Sequence, residues 1–244
     1  MNKDGKSMPP LFENGFSAAE IVLDPARTPG EIEARSFAII DAEVPEPRPF
    51  SGGLWQVARR CIHTVGDIGI LPDLRLDEEG LARGVGALLS GCTVYTDTRM
   101  AADGMPARRM RPLGVTVTPI MALPRLEEKA RAMGTTRSRA GMAALEGMLG
   151  GQIVVIGNAP TALLALLDAL ERGCPPPALI VGMPVGFVNA AQSKALLHGG
   201  PWPHFTVLGR RGGSALAAAC VNALAEIALE KKKSGLAGPQ GEWR

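Results

Sequence analysis

Ile153-Val154-Val155-Ile156-Gly157-Asn158-Ala159-Pro160-Thr161 begins with four consecutive β-branched apolar residues. A strand with one wet face alternates apolar and polar; four apolar residues in a row need a sheet covered on both faces. Gly157 and Asn158 then turn the chain, and Pro160 stands where the first turn of a helix tolerates a missing N–H. Leu163, Leu164, Leu166, Leu167 and Leu170 continue on one helical face until Gly173 and Pro175-Pro176-Pro177 stop it. A strand, a glycine turn and a helix in that order form the repeating unit of a parallel α/β sheet.

The same unit recurs on both sides. Upstream, residues 92–96 read as a strand leading to the polar loop Asp97-Thr98-Arg99, and residues 115–118 as a second strand. Downstream, residues 178–181 form the next strand, with Asn189 starting a short helix. Residues 204–208 form the last, and Gly209-Arg210-Arg211-Gly212-Gly213-Ser214 turns it into an alanine-rich helix reaching Leu229. Lys231, Lys232 and Lys233 complement the negative end of that helix. Asp77 caps a helix that Gly91 closes; Pro124 opens one ending at Gly134; Thr135 or Thr136 caps another reaching about Leu149. Nearer the N-terminus, residues 31–40 read as an amphipathic helix that Pro45, Pro47 and Pro49 terminate, and residues 55–64 as a second. The expected architecture is α/β: a three-layer α/β/α domain with a parallel sheet of about five strands, the N-terminal helices packed on it. One domain over 21–230 is expected, with flexible tails over 1–20 and 231–244.

Composition narrows the partners. Hydrophobic residues at 46% and charged residues at 20% describe a globular chain of 244 residues with a sizeable core. A net charge of +2 gives no field for a duplex, and 4% aromatics give no stacking platform, so no nucleic acid is expected. Residues 1–10 lack the apolar core of a signal peptide, and Asn158, Pro160 and Asp168 break the most apolar run; no membrane is expected and a cytoplasmic place is. Cys61, Cys92, Cys174 and Cys220 form no C-x-x-C pair and read as four buried free thiols, with no metal site.

The chemistry concentrates in two places. In Arg59-Arg60-Cys61-Ile62-His63-Thr64-Val65-Gly66-Asp67, Arg60 and His63 are three residues apart on the expected helix. That pattern suits a general acid/base beside an anion clamp; taken alone, it suits better a histidine capping the helix C-terminus. The second place is the row of strand carboxyl ends, where open parallel sheets bind ligands. The glycine turns at 157–161 and 209–214 offer N–H groups to an anion, or serve only close strand–helix packing. Other motifs fail. Gly84-Val85-Gly86 lies in a helix before a strand, not after one; no Walker A or G-x-S-x-G occurs; Asp97-Thr98-Arg99 lacks the second carboxylate of a magnesium site. His198 and His204 lack a third ligand and read as surface or loop residues, Met142 and Met148 as core filling. What remains is an anion-binding crevice with one histidine, suited to proton-assisted rearrangement of a polycarboxylate.

Six ordered segments resemble the precorrin-8X methylmutase (precorrin isomerase) family of cobalamin biosynthesis: Glu33-Ala34-Arg35-Ser36-Phe37-Ala38-Ile39-Ile40, Arg60-x-x-His63, Gly134-Thr135-Thr136-Arg137-Ser138, residues 156–163, Gly182-Met183-Pro184-Val185-Gly186-Phe187-Val188, and residues 209–215. The resemblance runs from about Ile21 to Ala228. It implies a homodimeric isomerase that moves a methyl group from carbon 11 to carbon 12 of a corrinoid polycarboxylate by a sigmatropic shift, without a cofactor. The product would be hydrogenobyrinate, or its cobalt form. The family's catalytic histidine falls on His63, and its substrate contacts on Ser36, Arg60 and Arg137. Asn158, Arg210, Gly212 and Ser214 in the two glycine turns complete the expected substrate-binding set. The alternative from another class is a non-catalytic tetrapyrrole-binding or carrier protein on the same fold; a nucleotide-dependent transferase using the 209–214 turn is disfavoured by the missing fingerprint.

Overall fold

The computed structural model describes residues 28–235. The expected N-terminal tail lies outside the described residues, as does the chain after 235. The expected C-terminal boundary falls inside a helix that runs on to Lys233.

Two helices come first, α1 (Pro29–Glu43) and α2 (Gly52–Val65), then strand β1 (Leu74–Leu76) and α3 (Glu78–Leu89). Strand β2 (Thr93–Thr96) leads through the short α4 (Arg99–Asp103) and α5 (Ala107–Met110) to β3 (Thr116–Pro119). The short α6 (Leu126–Ala132) and α7 (Arg137–Ala143) precede β4 (Ile153–Ile156), α8 (Pro160–Glu171), β5 (Leu179–Gly182), α9 (Ala190–Gly199), β6 (His204–Val207) and α10 (Ser214–Lys233). The expected capping logic is visible. Asp77 accepts from the N–H of Gly80, and Thr136 from that of Arg139. The helix after Thr136 stops at Ala143, short of Leu149, and turns carry the rest.

The six strands form one sheet in the order β1-β6-β5-β4-β2-β3. The five expected strands are mutually parallel; β1 adds an edge strand antiparallel to β6, with Leu74 opposite Val207. Three residues just after Pro72-Asp73 show no period to read, so β1 is set by its partner and not by local pattern. The continuous apolar run of β4 has the predicted cause. Ile153 and Val155 face a core shared with α2, α3 and α10, while Val154 and Ile156 face one shared with α8. Gly84 fits this packing, since a Cβ there would meet Leu179 Cδ2 at 2.8 Å.

Alanines keep α10 slim, and thirteen of its residues are buried against α2, α3 and the sheet. There Cys61 Sγ of α2 lies 3.5 Å from Cys220 Sγ of α10. The thiols are free, but Cys174 is only half-buried, because it sits in the turn before the proline run. Helix α1 buries little beyond Ile40 and is held by polar ties. Asp41 accepts from Trp55 Nε1 at 2.8 Å and Arg59 at 2.7 Å, and Arg48 stacks 4.5 Å over Trp55. The proline-rich connection is thereby pinned between the two helices.

Candidate functional site

Helix α2 buries Leu54, Val57, Ala58, Cys61 and Ile62, which leaves His63 on its exposed side in the last turn. Gly66 ends the helix with φ 65°, a conformation that a side chain would strain. The chain then drops to Asp67, which accepts from the N–H of Gly69. The His63 ring stands edge-on to Phe37 of α1, centroids 5.5 Å apart at 76°. Between the helices is an open cavity of about 370 Å³, lined by Ser36, Ile39, Glu43, His63, Asp67 and Ile68 among others. Ser36 and His63, distant in sequence, therefore share one cavity. The Ser36 hydroxyl donates to the carbonyl of Ile32 at 2.8 Å and keeps its lone pairs for a ligand.

Arg60 points away from that cavity, with its guanidinium 5.2 Å over the same Phe37 ring. It is 8% exposed, and its guanidinium donates to Glu33 at 2.9 Å and to Glu226 at 2.6 Å. Arg109 binds the other oxygen of Glu226, so two carboxylates and two arginines tie α1, α2, α5 and α10 together. Burial pushes the Glu33 carboxyl up, but the hydrogen bond and charge of Arg60 outweigh it, and Glu33 is held below the usual glutamate value. Burial likewise disfavours the Arg60 charge, and the two glutamates reverse that. Arg60 does not line the His63 cavity.

The strand order reverses between β2 and β4: the helices after β2 pack on the α10 face, and α8, after β4, on the other. A ligand crevice is expected at such a switch point. Here Asp97 fills it. Its carboxylate, 1% exposed, accepts from the backbone N–H groups of Gly157, Asn158 and Ala159 at 3.0, 2.8 and 2.7 Å. The N–H groups read from the sequence as free for a substrate anion are thus taken by the chain's own carboxylate. Burial pushes the Asp97 carboxyl up against the pull of those donors. Gly157 also has no room for a side chain, because a Cβ would come within 2.6 Å of Ser214 Cα. Ser214, buried, shares a 2.8 Å hydrogen bond with Thr98.

The remaining expected residues ring these ends. Asn158 is exposed on the turn after β4. Arg137, exposed and without a hydrogen bond or ion pair among the described residues, opens α7; its neighbour Thr136 meets Thr161 at 3.0 Å, bringing α7 to that turn. Gly212 presses so close to β5 that a Cβ would lie 2.3 Å from the Met183 carbonyl oxygen. Arg210 is exposed and stacks 5.3 Å from Phe187, itself 84% exposed. Arg211 reaches back to Asp67 at 3.4 Å, to Asp73 at 2.6 Å and to the Gly69 carbonyl at 2.7 Å. The His63 cavity and the 209–214 turn are thus joined through Asp67 and Arg211. Ser36 and His63 form one group; Arg137, Asn158, Arg210, Gly212 and Ser214 form a second around the strand ends.

Asp97 was legible only as a loop residue, since its three partners lie about sixty positions away. Lys194, fully buried on α9 beneath the 209–214 turn, gave no sequence signal beyond a charge in a helix. His198 is exposed on α9, in keeping with a surface role, but His204 is buried at the start of β6, where α9 covers it, and its Nε2 lies 3.1 Å from Nδ1 of His198. Met142 fills core, whereas Met148 is 53% exposed in the turns after α7.

The family model for precorrin-8X methylmutase matches residues 31–227 of this chain. A precorrin-8X methylmutase of Pseudomonas aeruginosa is 41% identical over 206 residues, covering 84% of this chain and 98% of the relative. A cobalt-precorrin-8 methylmutase of Salmonella typhimurium is 39% identical, covering 80% and 94%. The crystal structure of a precorrin-8X methylmutase from Thermus thermophilus superposes with a TM-score of 0.75 at 38% identity, covering 82% of this chain and 98% of that one.

Proposed function

Because the chain belongs to the precorrin-8X methylmutase family, isomerases of cobalamin biosynthesis, we propose that it moves the methyl group from carbon 11 to carbon 12 of a precorrin-8X-type corrinoid, with His63 lending and retaking the proton. The observation that carries this reading is the meeting of His63 and Ser36 in one cavity that Asp67 and Arg211 link to the 209–214 turn. A protonated imidazole donates to the macrocycle, which spreads the positive charge over its conjugated system and loosens the migrating carbon–carbon bond. The methyl group moves to the adjacent carbon, and the proton returns to His63. Substrate and product are isomers, so the step consumes no co-substrate. A positioned proton donor contributes roughly 10²–10⁴-fold.

The surroundings suit a wide ring with a carboxylate rim. A cavity of about 370 Å³ admits an edge of such a ring. Exposed Ile39 and Ile68 beside it, and Phe187 and Val188 beyond the strand ends, offer apolar contact to the faces. Arg137, Arg210, Asn158 and the N–H groups at Gly212 and Ser214 are set to meet the carboxylates. We also place the enzyme in the cytoplasm as a homodimer. Among the described residues no helix is long and apolar enough to cross a membrane. Ile32 and Ile39, two turns apart on α1, give a partner subunit an apolar stripe beside the cavity.

Curated relatives are named for both the cobalt-free and the cobalt-containing substrate. The test is therefore incubation of the purified protein with each form of precorrin-8, followed by absorption spectroscopy. Conversion of one or both to a hydrogenobyrinate-type spectrum is expected. Tight binding of both without conversion contradicts the isomerase and leaves the carrier.

A further inference from the structure

We infer that Lys194 is a positioning residue that sets the 209–214 turn, and through it Arg210, for the corrinoid's carboxylates. The inference rests on the reading of that turn as a substrate contact. Lys194 is fully buried on α9, and its ammonium donates to the carbonyl oxygen of Arg211. It makes no ion pair among the described residues; the charge that acts on it is Asp73, already held by Arg211 at 2.6 Å. A buried ammonium with no carboxylate of its own costs free energy that a leucine or methionine in the same place would not. Stability alone gives no reason for a lysine here. Its position does.

The turn it holds is seated from several sides. The Gly213 N–H donates to the Met183 carbonyl at 2.9 Å, and the Gly186 N–H to the Arg210 carbonyl at 3.2 Å. Between them Lys194 takes the Arg211 carbonyl, drawing that backbone inward. With that carbonyl fixed, the two arginine side chains point outward: Arg211 onto Asp67 and Asp73, Arg210 onto Phe187. The buried positive charge also adds to the field that meets an anionic substrate. Burial lowers the Lys194 pKa to about 8 against the opposing pull of Asp73, so the ammonium is lost just above neutral pH.

The test uses the full chain with Lys194→Met, which fills the space without the charge. Hydrogen–deuterium exchange of the free enzyme should be at least about tenfold faster in the peptide over 209–214, with the melting temperature not lowered. With precorrin-8, KM should rise about tenfold while kcat stays within about twofold. Wild-type KM should climb as pH rises through about 8, whereas that of the variant should be high and flat. An unchanged exchange rate at the turn overturns the inference whatever the kinetics. So does a loosened turn with wild-type KM, or a variant that keeps the wild-type pH profile. If the wild type neither binds nor converts the corrinoid, the proposed function has failed, and the exchange rates alone decide whether Lys194 holds the turn.

Discussion

Asp97 satisfies three backbone donors with one carboxylate, and those donors have no other partner among the described residues. Leaving a buried N–H without an acceptor costs about 1–3 kcal/mol each. Asp97→Ala should therefore lower the unfolding free energy by at least about 3 kcal/mol in urea titration, and Asp97→Asn by less, since one acceptor oxygen remains. Equal losses in the two variants would mean that the carboxylate is not the common acceptor. Arg60 yields a second prediction at this scale. Removing one partner of a buried pair strands the others, and part of that penalty is relieved by solvent at Glu33 and Glu226. Arg60→Met should cost about 2–3 kcal/mol in the same assay while changing substrate KM little; a large rise in KM at unchanged stability would put the guanidinium on the substrate. The two residues show where sequence reading stops. Spacing of three placed Arg60 beside His63 along the helix, but which side of α2 faces α10 depends on the far end of the chain.

At the scale of elements, β4 and β5 were readable because burial on both faces demands continuous apolar runs, and β2, β3 and β6 from β-branched and aromatic residues set between turns. The helices were readable from caps and terminators. Strand β1 was not, because three residues acquire strand geometry only from β6, about 130 positions later. The β4–α8 turn was readable as a glycine turn with two purposes left open, an anion site or close packing; Gly157 serves close packing, against the start of α10. Gly157→Ala should destabilise by about 2–3 kcal/mol, since the atoms 2.6–2.8 Å from the new Cβ are backbone and cannot swing aside. A loss below about 0.5 kcal/mol in urea titration would contradict that packing. Helix α1 depends on carboxylates. Glu33 and Asp41 both have folded-state pKa values below their ordinary ones: burial raises each, and the neighbouring arginines, with Trp55 for Asp41, more than offset it. For a lowered carboxylate, the contribution is complete above the unfolded pKa and is lost as pH falls through the folded one. Stability should therefore hold down to about pH 5 and decline below about pH 4. The decline should be shallower in the double variant Glu33→Gln/Asp41→Asn, as followed by urea titration between pH 6 and 3. An identical slope in wild type and variant would contradict the assignment.

For the whole molecule, the parallel sheet and the row of its strand ends were legible, but the switch point among those ends depends on the strand order, and Asp97 occupies it from within. The surface left for a large ring is the cavity between α1 and α2 together with the rim of the strand ends. The sequence pointed to both places separately. Their connection through Asp67 and Arg211 is tertiary, spanning 144 positions, and no local pattern carries it. Exposed Ile32 and Ile39 beside the cavity predict that the partner subunit lies close to the site. Light scattering during gel filtration should give twice the chain mass of 25.5 kDa, and Ile32→Asp/Ile39→Asp should shift it toward the monomer with loss of turnover. A wild-type monomer with full activity would contradict the dimeric site.

The role proposed for His63 is that of proton donor in this isomerisation. It is tested most directly by following the absorption spectrum of precorrin-8 with wild-type protein and with His63→Ala under single-turnover conditions. The wild type should convert the substrate, the variant should convert it at least about 10²-fold more slowly, and both should retain binding. Conversion at the wild-type rate by His63→Ala would contradict it.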